Sequence, residues 1–386
     1  MRFEPAHRLQ RLPVYLFAQI EKKIERKRRE GMDIINLGIG DPDLPPPKQV
    51  QDALVKAQGE LFANRYSSSA GERFAREGVS QWYKKRFNVD LDPDSQICIL
   101  IGSKEGIANI ARAFVNPGEK VLVPDPGYPV YNGGAILNDG IPVSMPLIPE
   151  KGFLPDMGSL EIGARLIYLN YPNNPTGAVA DLKFLKDVSE FAESNNTILC
   201  YDNAYSEITF DDYRAPSILQ VTENAVEFCS LSKTFNMTGY RLGFAAGHPD
   251  LIGALKKLKA QIDSGPPIFI QKAAVAALEM YTSGDVPDDV KKNIKTFERR
   301  RDLMVSELHA MGFNLDKPKG TFYLWFKVEG GSGEFAEKMV DHGVVVTPGS
   351  GFGEHGEGWI RLALTQNEER LRVAAERMRT ALEIRD

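Results

Sequence analysis

The sequence is poor in cysteine and contains no long hydrophobic run. Only three of its 386 residues are cysteine, and none forms a Cys-x-x-Cys pair. We therefore expect reduced core thiols and neither a disulfide framework nor a zinc site. The five histidines show no metal-ligand spacing such as His-Glu-x-x-His. No apolar run reaches the roughly 18 residues of a membrane span, and the apolar patch at 12–20 is broken by Pro13, so we expect no signal peptide either.

Positive charge is not in excess. Lysine and arginine total 47 against 52 acidic residues, which gives a formal net charge of −5. A chain with this balance lacks the global positive field of a nucleic-acid-binding protein. Apolar residues make up 42% and charged residues 26%, which is typical of a globular chain. We expect a cytoplasmic protein that binds neither nucleic acid nor a membrane.

From about residue 50 to 285 the sequence repeats the order strand, loop, helix. Short apolar segments predict strands at 97–101, 120–123, 165–169, 197–201, 226–229 and 242–246. Because helical patterns alternate with these segments, we predict an α/β domain with a mostly parallel sheet.

The two ends of the chain are organised differently. Helical patterns cover 18–30 and about 290–312, and the second leads to a smaller α+β unit. In that unit we predict strands at 321–328, 344–347 and 359–364. We therefore divide the chain into an N-terminal arm with part of the small domain (1–45), a large domain (46–285) and a C-terminal small domain (286–386).

Polar residues follow the predicted strands at the edge where open α/β sheets bind ligands. After the strand that ends at Ile101, small residues at 102–106 (GSKEG) open a helix. Backbone N–H groups at such a helix start form a cradle for a phosphate. The other strand ends supply an amide, a carboxylate, a phenol, two hydroxyls, an amine and a guanidinium: Asn174, Asp202, Tyr205, Ser230, Ser232, Lys233 and Arg241.

This set of groups suits an aldehyde cofactor that has a pyridine ring and a phosphate tail. An amine condenses with the aldehyde, and a carboxylate keeps the ring nitrogen protonated so that the ring accepts electrons. A phenol and an amide bond the ring hydroxyl, while hydroxyls, arginine and helix N–H groups hold the phosphate.

Five motifs then follow one another in order along the chain: 171–177 (YPNNPTG), Asp202 with Tyr205, 230–233 (SLSK), 239–243 (GYRLG) and 359–362 (WIRL). With them the sequence resembles the fold-type I pyridoxal-phosphate aminotransferases, the aspartate aminotransferase superfamily, from Leu12 to the C-terminus. The resemblance implies the aspartate aminotransferase-like α/β fold, with a large cofactor-binding domain and a smaller α+β domain. It also implies pyridoxal 5'-phosphate as cofactor.

Further stretches are similar to segments of LL-diaminopimelate aminotransferases: 101–107 (IGSKEGI), 123–131 (VPDPGYPVY), 204–207 (AYSE), 263–265 (DSG) and 347–353 (TPGSGFG). This resemblance implies transamination of LL-2,6-diaminopimelate with 2-oxoglutarate in lysine biosynthesis, by way of tetrahydrodipicolinate. Alanine and broad-specificity aminotransferases carry similar segments and remain the alternative. Where plant-like members have Asn-Gly, this chain has Ser264-Gly265, so we expect a distal substrate contact to differ.

The resemblance also implies roles toward the cofactor. Lys233 is the Schiff-base lysine and the later acid–base catalyst. Asp202 pairs with the ring nitrogen, and Asn174 with Tyr205 bonds the ring oxygen. Tyr128 stacks on the ring face. The phosphate contacts are Ser103, Lys104, Ser230, Ser232, Arg241 and, from the neighbouring subunit, Tyr66. The contribution of Tyr66 implies a homodimer.

Toward the amino-acid substrate, the resemblance implies that Arg361 clamps the α-carboxylate through two parallel hydrogen bonds. Gly40 lets a backbone amide approach the same carboxylate. Tyr15 and Lys104 are expected at the far end of the substrate. Tyr128 and Asn174 complete the predicted substrate contacts.

Other classes of protein fit less well. A nicotinamide-dependent dehydrogenase needs a Gly-x-Gly-x-x-Gly turn after its first strand, and no such turn follows the first strand here. A P-loop protein needs a Gly-Lys pair, which does not occur in the sequence. A regulator built on this fold would carry a DNA-binding module, for which we expect no room before Gly31. A pyridoxal-phosphate lyase or acyltransferase shares the cofactor residues and stays open.

Overall fold

The computed structural model describes residues 3–13 and 17–383. Within these ranges the α-helices are α1 (His7–Gln10), α2 (Phe17–Arg29), α3 (Lys48–Gln58), α4 (Arg73–Phe87), α5 (Ser103–Phe114), α6 (Pro129–Leu137), α7 (Leu182–Ser194), α8 (Leu231–Thr234), α9 (Pro249–Lys259), α10 (Ile268–Glu279), α11 (Asp288–Ala310), α12 (Ser332–Asp341) and α13 (Glu368–Leu382). Short 3-10 turns lie at Pro149–Lys151, Met157–Ser159, Ile218–Gln220, Thr238–Tyr240, Gly349–Phe352 and Glu354–Gly356. None of the described helices is both long and apolar enough to cross a membrane.

The strands are β1 (Ile35–Asn36), β2 (Ile97–Leu100), β3 (Lys120–Asp125), β4 (Ile141–Pro146), β5 (Leu166–Asn170), β6 (Ile198–Asp202), β7 (Ala225–Ser230), β8 (Gly243–Gly247), β9 (Tyr323–Lys327), β10 (Val344–Val345), β11 (Thr347–Pro348) and β12 (Trp359–Ala363). Seven of them form one sheet in the order β2-β8-β7-β6-β5-β3-β4. In this sheet β8 is antiparallel to both of its neighbours, and the other pairs are parallel. The predicted mostly parallel α/β sheet is confirmed.

Helices cover both faces of the large sheet. One apolar cluster joins the strands to α4, α7 and α10, and a second joins them to α5, α6 and α9. Because helices pack on both faces of the sheet, β2, β5 and β8 are buried along their whole length. Strands that are enclosed on both faces have nearly continuous apolar sequences. Local signals fix where the helices start: Asp181 accepts the N–H of Phe184 at α7, and Asn367 accepts the N–H of Arg370 at α13.

A second unit packs beside this sheet. It contains the antiparallel sheet β11-β12-β9 and the parallel pair β1-β10, in which Ile35 lies opposite Val344. Residues near the start of the chain therefore pair with residues near its end. The single strand predicted at 344–347 is wrong in one respect, since it is split into β10 and β11, which belong to different sheets.

The large sheet brings its strand ends to one edge. β5 ends at Asn170, β6 at Asp202 and β7 at Ser230, all pointing the same way. Because β8 runs in the opposite direction, its first residue, Gly243, lies at this same edge and pairs with both Ser230 and Leu100. The residues that follow these ends form the candidate site.

Candidate functional site

Lys233 lies on the short helix α8, immediately after β7. Ser230 starts this helix, because its side chain accepts the N–H of Ser232 at 3.2 Å. The Lys233 Nζ atom donates to the backbone oxygen of Gly40 at 2.7 Å. Burial lowers the pKa of Lys233, and the nearby cation Arg361 lowers it further. The amine is therefore more easily deprotonated than a surface lysine.

Asp202 ends β6 and is buried. Its Oδ2 atom accepts the phenolic hydrogen of Tyr131 at 2.7 Å, and Oδ1 accepts the N–H of Ala204 at 3.3 Å. Burial raises the pKa of Asp202 to about 6, and these two hydrogen bonds act against that rise. Within the described residues no lysine, arginine or histidine forms an ion pair with it. The carboxylate is thus held in place by neutral groups only.

The turn after β5 fixes Asn174. The Asn170 side chain donates to the backbone oxygen of Asp202 and accepts the N–H of Asn174, both at 2.8 Å. Asn173 accepts hydrogen bonds from the N–H and the hydroxyl of Thr176. These buried bonds tie the ends of β5 and β6 together and direct the Asn174 side chain toward the second unit.

Arg361 approaches from β12 in the second unit and is buried. Its Nη1 donates to Oδ1 of Asn174 at 2.8 Å, and its Nη2 donates to the backbone oxygen of Gly38 at 2.7 Å. The guanidinium carbon lies 4.2 Å from the centre of the Tyr323 ring and 4.7 Å from that of Phe352. Its buried Nε has no hydrogen-bond partner. This cation therefore keeps a hydrogen-bond donor that is not used.

Tyr205 meets Tyr323 at the centre of the site. Their hydroxyl oxygens are 3.1 Å apart, and burial raises the pKa of Tyr205 well above its usual range. Gly40 lies against the same hydroxyl, since a Cβ atom built there would come within 1.8 Å of the Tyr323 oxygen. Tyr205 and Gly40, both predicted site residues, are therefore neighbours through Tyr323.

The start of α5 and Arg241 form a cradle at the edge of the sheet. Gly102 has φ +77°, and a Cβ atom there would lie 2.4 Å from Nη2 of Arg241. A Cβ atom at Gly243 would lie 2.7 Å from the backbone nitrogen of Ser103. The guanidinium thus packs over the glycine that opens α5, beside N–H groups at the positive end of this helix. Arg241 is solvent-exposed and Ser103 half-buried, which leaves the cradle accessible.

Lys104 and Tyr128 also meet here. The Lys104 Nζ lies 5.4 Å from the centre of the Tyr128 ring. Tyr128 precedes α6 and contacts the ring of Tyr131 edge to face, with the ring centres 6.0 Å apart. Through Tyr131 this aromatic group adjoins Asp202.

One predicted residue, Tyr66, lies on an exposed loop. Tyr66 is 91% exposed. Its neighbour Ser67 donates to the backbone oxygens of Ser264 and Pro266, so the segment that contains Ser264 supports the loop that carries Tyr66. Tyr15 lies outside the described residues.

Sequence reasoning missed three residues of the site: Asn170, Tyr131 and Tyr323. Tyr131 had a usable signal, because it lies three residues after Tyr128 in the first turn of a helix, where side chains at this spacing are neighbours. Tyr323 had none, since aromatic residues in a strand usually belong to the core.

The family of the chain is shown by its sequence similarity to known proteins. The sequence profile of the family "Aminotransferase class I and II" matches residues 32–378. The LL-diaminopimelate aminotransferase of Moorella thermoacetica is 49% identical over 98% of this chain and 98% of that protein. The protein of the same description from Desulforudis audaxviator is 46% identical over 99% of both.

Solved structures lead to the same family. A mutant of the Thermus thermophilus aspartate aminotransferase superposes with a TM-score of 0.92 at 27% identity, covering 99% of this chain and 100% of that one. The predicted aspartate aminotransferase-like α/β fold is thereby confirmed, and the predicted transaminase class is confirmed against the dehydrogenase and lyase alternatives. Both the sequence matches and the fold show that this chain belongs to the class I and II aminotransferases.

Proposed function

We propose that this aminotransferase exchanges nitrogen between LL-2,6-diaminopimelate and 2-oxoglutarate, giving tetrahydrodipicolinate and glutamate in lysine biosynthesis. The choice of amino donor is supported by relatives of that description at 46–49% identity over almost the whole chain. The observation that carries the transaminase chemistry is the meeting of Arg361 with Asn174, beside Lys233 and Asp202. This meeting supports the proposal, because a cation suited to a carboxylate lies against residues suited to the cofactor.

The family and the fold imply dependence on pyridoxal 5'-phosphate, and the residues fit this group. Asp202 is a buried carboxylate with neutral partners only, which suits a protonated ring nitrogen. A Cβ atom at Gly243 would meet the backbone of Ser103, and one at Gly102 would meet the guanidinium of Arg241. The glycines thus leave backbone N–H groups and a cation uncovered in this cradle, which suits a phosphate. We propose that Lys233, Asp202, Asn174 and Tyr205 hold the ring, and that Ser103, Lys104, Ser230, Ser232 and Arg241 hold the phosphate.

When bound, pyridoxal phosphate supplies a conjugated ring that draws electrons from the substrate Cα and stores the amino group between two half-reactions. Asp202, ionised above its pKa of about 6, holds the proton on the ring nitrogen. The amine of Lys233, with its lowered pKa, accepts the proton from the substrate Cα and later returns one. Tyr205 donates its phenolic hydrogen to the ring oxygen, and its own raised pKa keeps it protonated.

Arg361 binds the α-carboxylate of the amino acid in this proposal. Its guanidinium is already desolvated between two aromatic rings, so a carboxylate that pairs with it gains a strong, charge-assisted hydrogen bond. The unused Nε provides one donor toward such a ligand. Gly40 keeps the backbone close to this pocket because no side chain fits there. Lys104 is solvent-exposed, and we place the distal end of the substrate beside it. Tyr128 is proposed to stack on the ring face of the cofactor.

We also propose that the active unit is a homodimer. The loop before α4 exposes large apolar side chains, with Leu61 82% and Tyr66 91% exposed. Such a patch favours burial against another protein surface. We propose that Tyr66 of one protomer reaches the phosphate cradle of its partner. The division into 1–45, 46–285 and 286–386 remains our proposal for the domains, supported at the N-terminal side by the β1-β10 pair.

A panel of amino donors tests the proposed substrate. The purified protein is loaded with pyridoxal phosphate, and glutamate formation from 2-oxoglutarate is measured with LL-diaminopimelate, alanine, aspartate and aromatic amino acids. We expect the highest kcat/KM with LL-diaminopimelate. Equal or better turnover of alanine would replace the proposal with the alternative of an alanine or broad-specificity aminotransferase.

A further inference from the structure

Tyr323 lies between two functional groups of the site and has no assigned role. It is the first residue of β9 and is buried. Its hydroxyl oxygen is 3.1 Å from that of Tyr205, and its ring face lies 4.2 Å below the guanidinium carbon of Arg361. One side chain therefore touches both the phenol proposed for the ring oxygen and the cation proposed for the carboxylate.

The position of Tyr323 follows from the fold. In the β12-β9 pair, Tyr323 lies opposite Ala363 and Trp325 lies opposite Arg361. Tyr323 is thus the diagonal neighbour of Arg361 on the same face of the sheet, where long side chains meet. The ring packs edge to face against Tyr205, with ring centres 5.8 Å apart. Gly40 closes the other side, since a Cβ atom there would overlap the hydroxyl.

We infer, on the basis of the proposed function, that Tyr323 is a positioning residue with two separable contributions. Its hydroxyl orients the phenol of Tyr205 by donating a hydrogen to it, which leaves the Tyr205 hydrogen directed at the ring oxygen of pyridoxal phosphate. Its ring holds the guanidinium of Arg361 through a cation–π contact in a site that excludes water.

The hydroxyl has a spectroscopic consequence. A phenol that accepts a hydrogen bond becomes a stronger donor. A stronger donor withdraws negative charge from the ring oxygen of the cofactor. The ring oxygen then holds less strongly the proton on the nitrogen that would join Lys233 to the cofactor. Removing the Tyr323 hydroxyl therefore shifts the pH midpoint of the absorbance change of the bound cofactor upward, by about 0.5 pH unit. A structural role alone would not move this midpoint.

Two substitutions separate the contributions. In Tyr323→Phe the ring remains, so we expect the upward shift of the pH midpoint with the KM for the amino donor changed by less than about twofold. In Tyr323→Leu the ring is lost as well, so we expect the same shift together with a KM about fivefold to tenfold higher. The matched control is Phe326→Leu, on the same strand but in the apolar core of the second unit, which should change neither value.

The experiment is a pH titration of cofactor absorbance combined with steady-state kinetics on the holoenzyme. An unshifted midpoint in Tyr323→Phe would overturn the role of the hydroxyl. A KM in Tyr323→Leu no higher than in Phe326→Leu would overturn the role of the ring. Either result, with the cofactor bound and the unaltered enzyme active, concerns Tyr323 alone. An unaltered protein that fails to bind pyridoxal phosphate would overturn the proposed function together with this inference.

Discussion

Tyr131 donates its phenolic hydrogen to Oδ2 of Asp202 across 2.7 Å in the buried core of the large unit. The Tyr131 ring stacks on that of Tyr168, with centres 5.0 Å apart. The Tyr168 hydroxyl in turn donates to the backbone oxygen of Ile107 on α5. The carboxylate proposed for the ring nitrogen is thus connected to the helix proposed for the phosphate.

The burial of Asp202 predicts an unusual dependence of stability on pH. Burial raises the pKa from its ordinary 3.8 to about 6, so the folded protein without cofactor binds this proton more tightly than the unfolded chain. The contribution to stability is fully present below pH about 4 and is lost as pH rises through about 6. We expect Asp202→Asn to raise the free energy of unfolding at pH 8 by up to roughly 3 kcal/mol and to change it little at pH 4.

Denaturant unfolding of the two cofactor-free proteins at both pH values checks this expectation. The same substitution should weaken binding of pyridoxal phosphate, because the ring nitrogen loses its anionic partner. If Asp202→Asn is less stable than the unaltered protein at pH 8, burial of the ionised Asp202 carboxylate does not destabilise the folded chain.

Replacement of Arg361 by lysine should weaken amino-acid binding and spare the cofactor. Lysine cannot form the forked contacts to Asn174 and Gly38 that the guanidinium forms. We expect the KM for amino donors to rise about 10-fold to 100-fold, as for the loss of a hydrogen bond to a charged group, with the absorbance of the bound cofactor retained. Arg299→Lys, at an exposed ion pair with Glu368, is the control and should stay within about twofold. Loss of cofactor from Arg361→Lys would count against the proposed role.

Gly40 should not tolerate a methyl group. A Cβ atom there would lie 1.8 Å from the Tyr323 oxygen and 2.5 Å from the ring carbon that carries it, so either the backbone or Tyr323 must move. We expect Gly40→Ala to destabilise the protein by about 1–3 kcal/mol and to raise the KM for the amino donor. Gly253→Ala on α9 meets nothing within 4 Å and should stabilise by up to about 1 kcal/mol. Thermal unfolding compares the two; equal effects would contradict the close approach at Gly40.

Lys259 is a buried cation that links α5 to Asp263, which is next to the Ser264 that contacts the Tyr66 loop. Its Nζ donates to Glu105 at 3.2 Å and to both carboxylate oxygens of Asp263. Because Lys259→Met would leave two acidic groups without their cation, we expect a loss of about 3–5 kcal/mol. In the triple variant with Glu105→Gln and Asp263→Asn, most of this loss should be recovered. If the triple variant does not recover stability, the loss in Lys259→Met comes from the packing of the lysine methylene groups and not from the unpaired acidic groups.

Much of the fold could be predicted from the sequence because its signals are local. The strand predicted at 165–169 is observed one residue later, and the helix predicted at about 290–312 is α11. The edge strand β4 was missed, since Pro142 and Pro146 are unusual within a strand and are tolerated only at the edge of a sheet. Its pairing with β3 is a tertiary contact that no local pattern contains.

The candidate site could be predicted where a residue lies at the end of a strand or just after it, as Asp202 and Lys233 do. Tyr323 and Tyr131 contact site residues that are distant from them in sequence. The contact from Tyr323 to Arg361 depends on the register of β9 against β12, and the contact from Tyr131 to Asp202 depends on how α6 packs on the sheet. Strand register and helix packing depend on the whole core, so no short sequence motif predicts these two contacts.

The central claim, that Lys233 carries the cofactor, is tested most directly by reducing the pyridoxal-phosphate-loaded protein with borohydride and mapping the modified peptide by mass spectrometry. Hydride reduction converts a lysine–cofactor double bond into a stable single bond. We predict that the added mass is on Lys233 and that Lys104, beside the same site, is unmodified. Modification of a different lysine, or no modification in a protein that transaminates, would contradict the account.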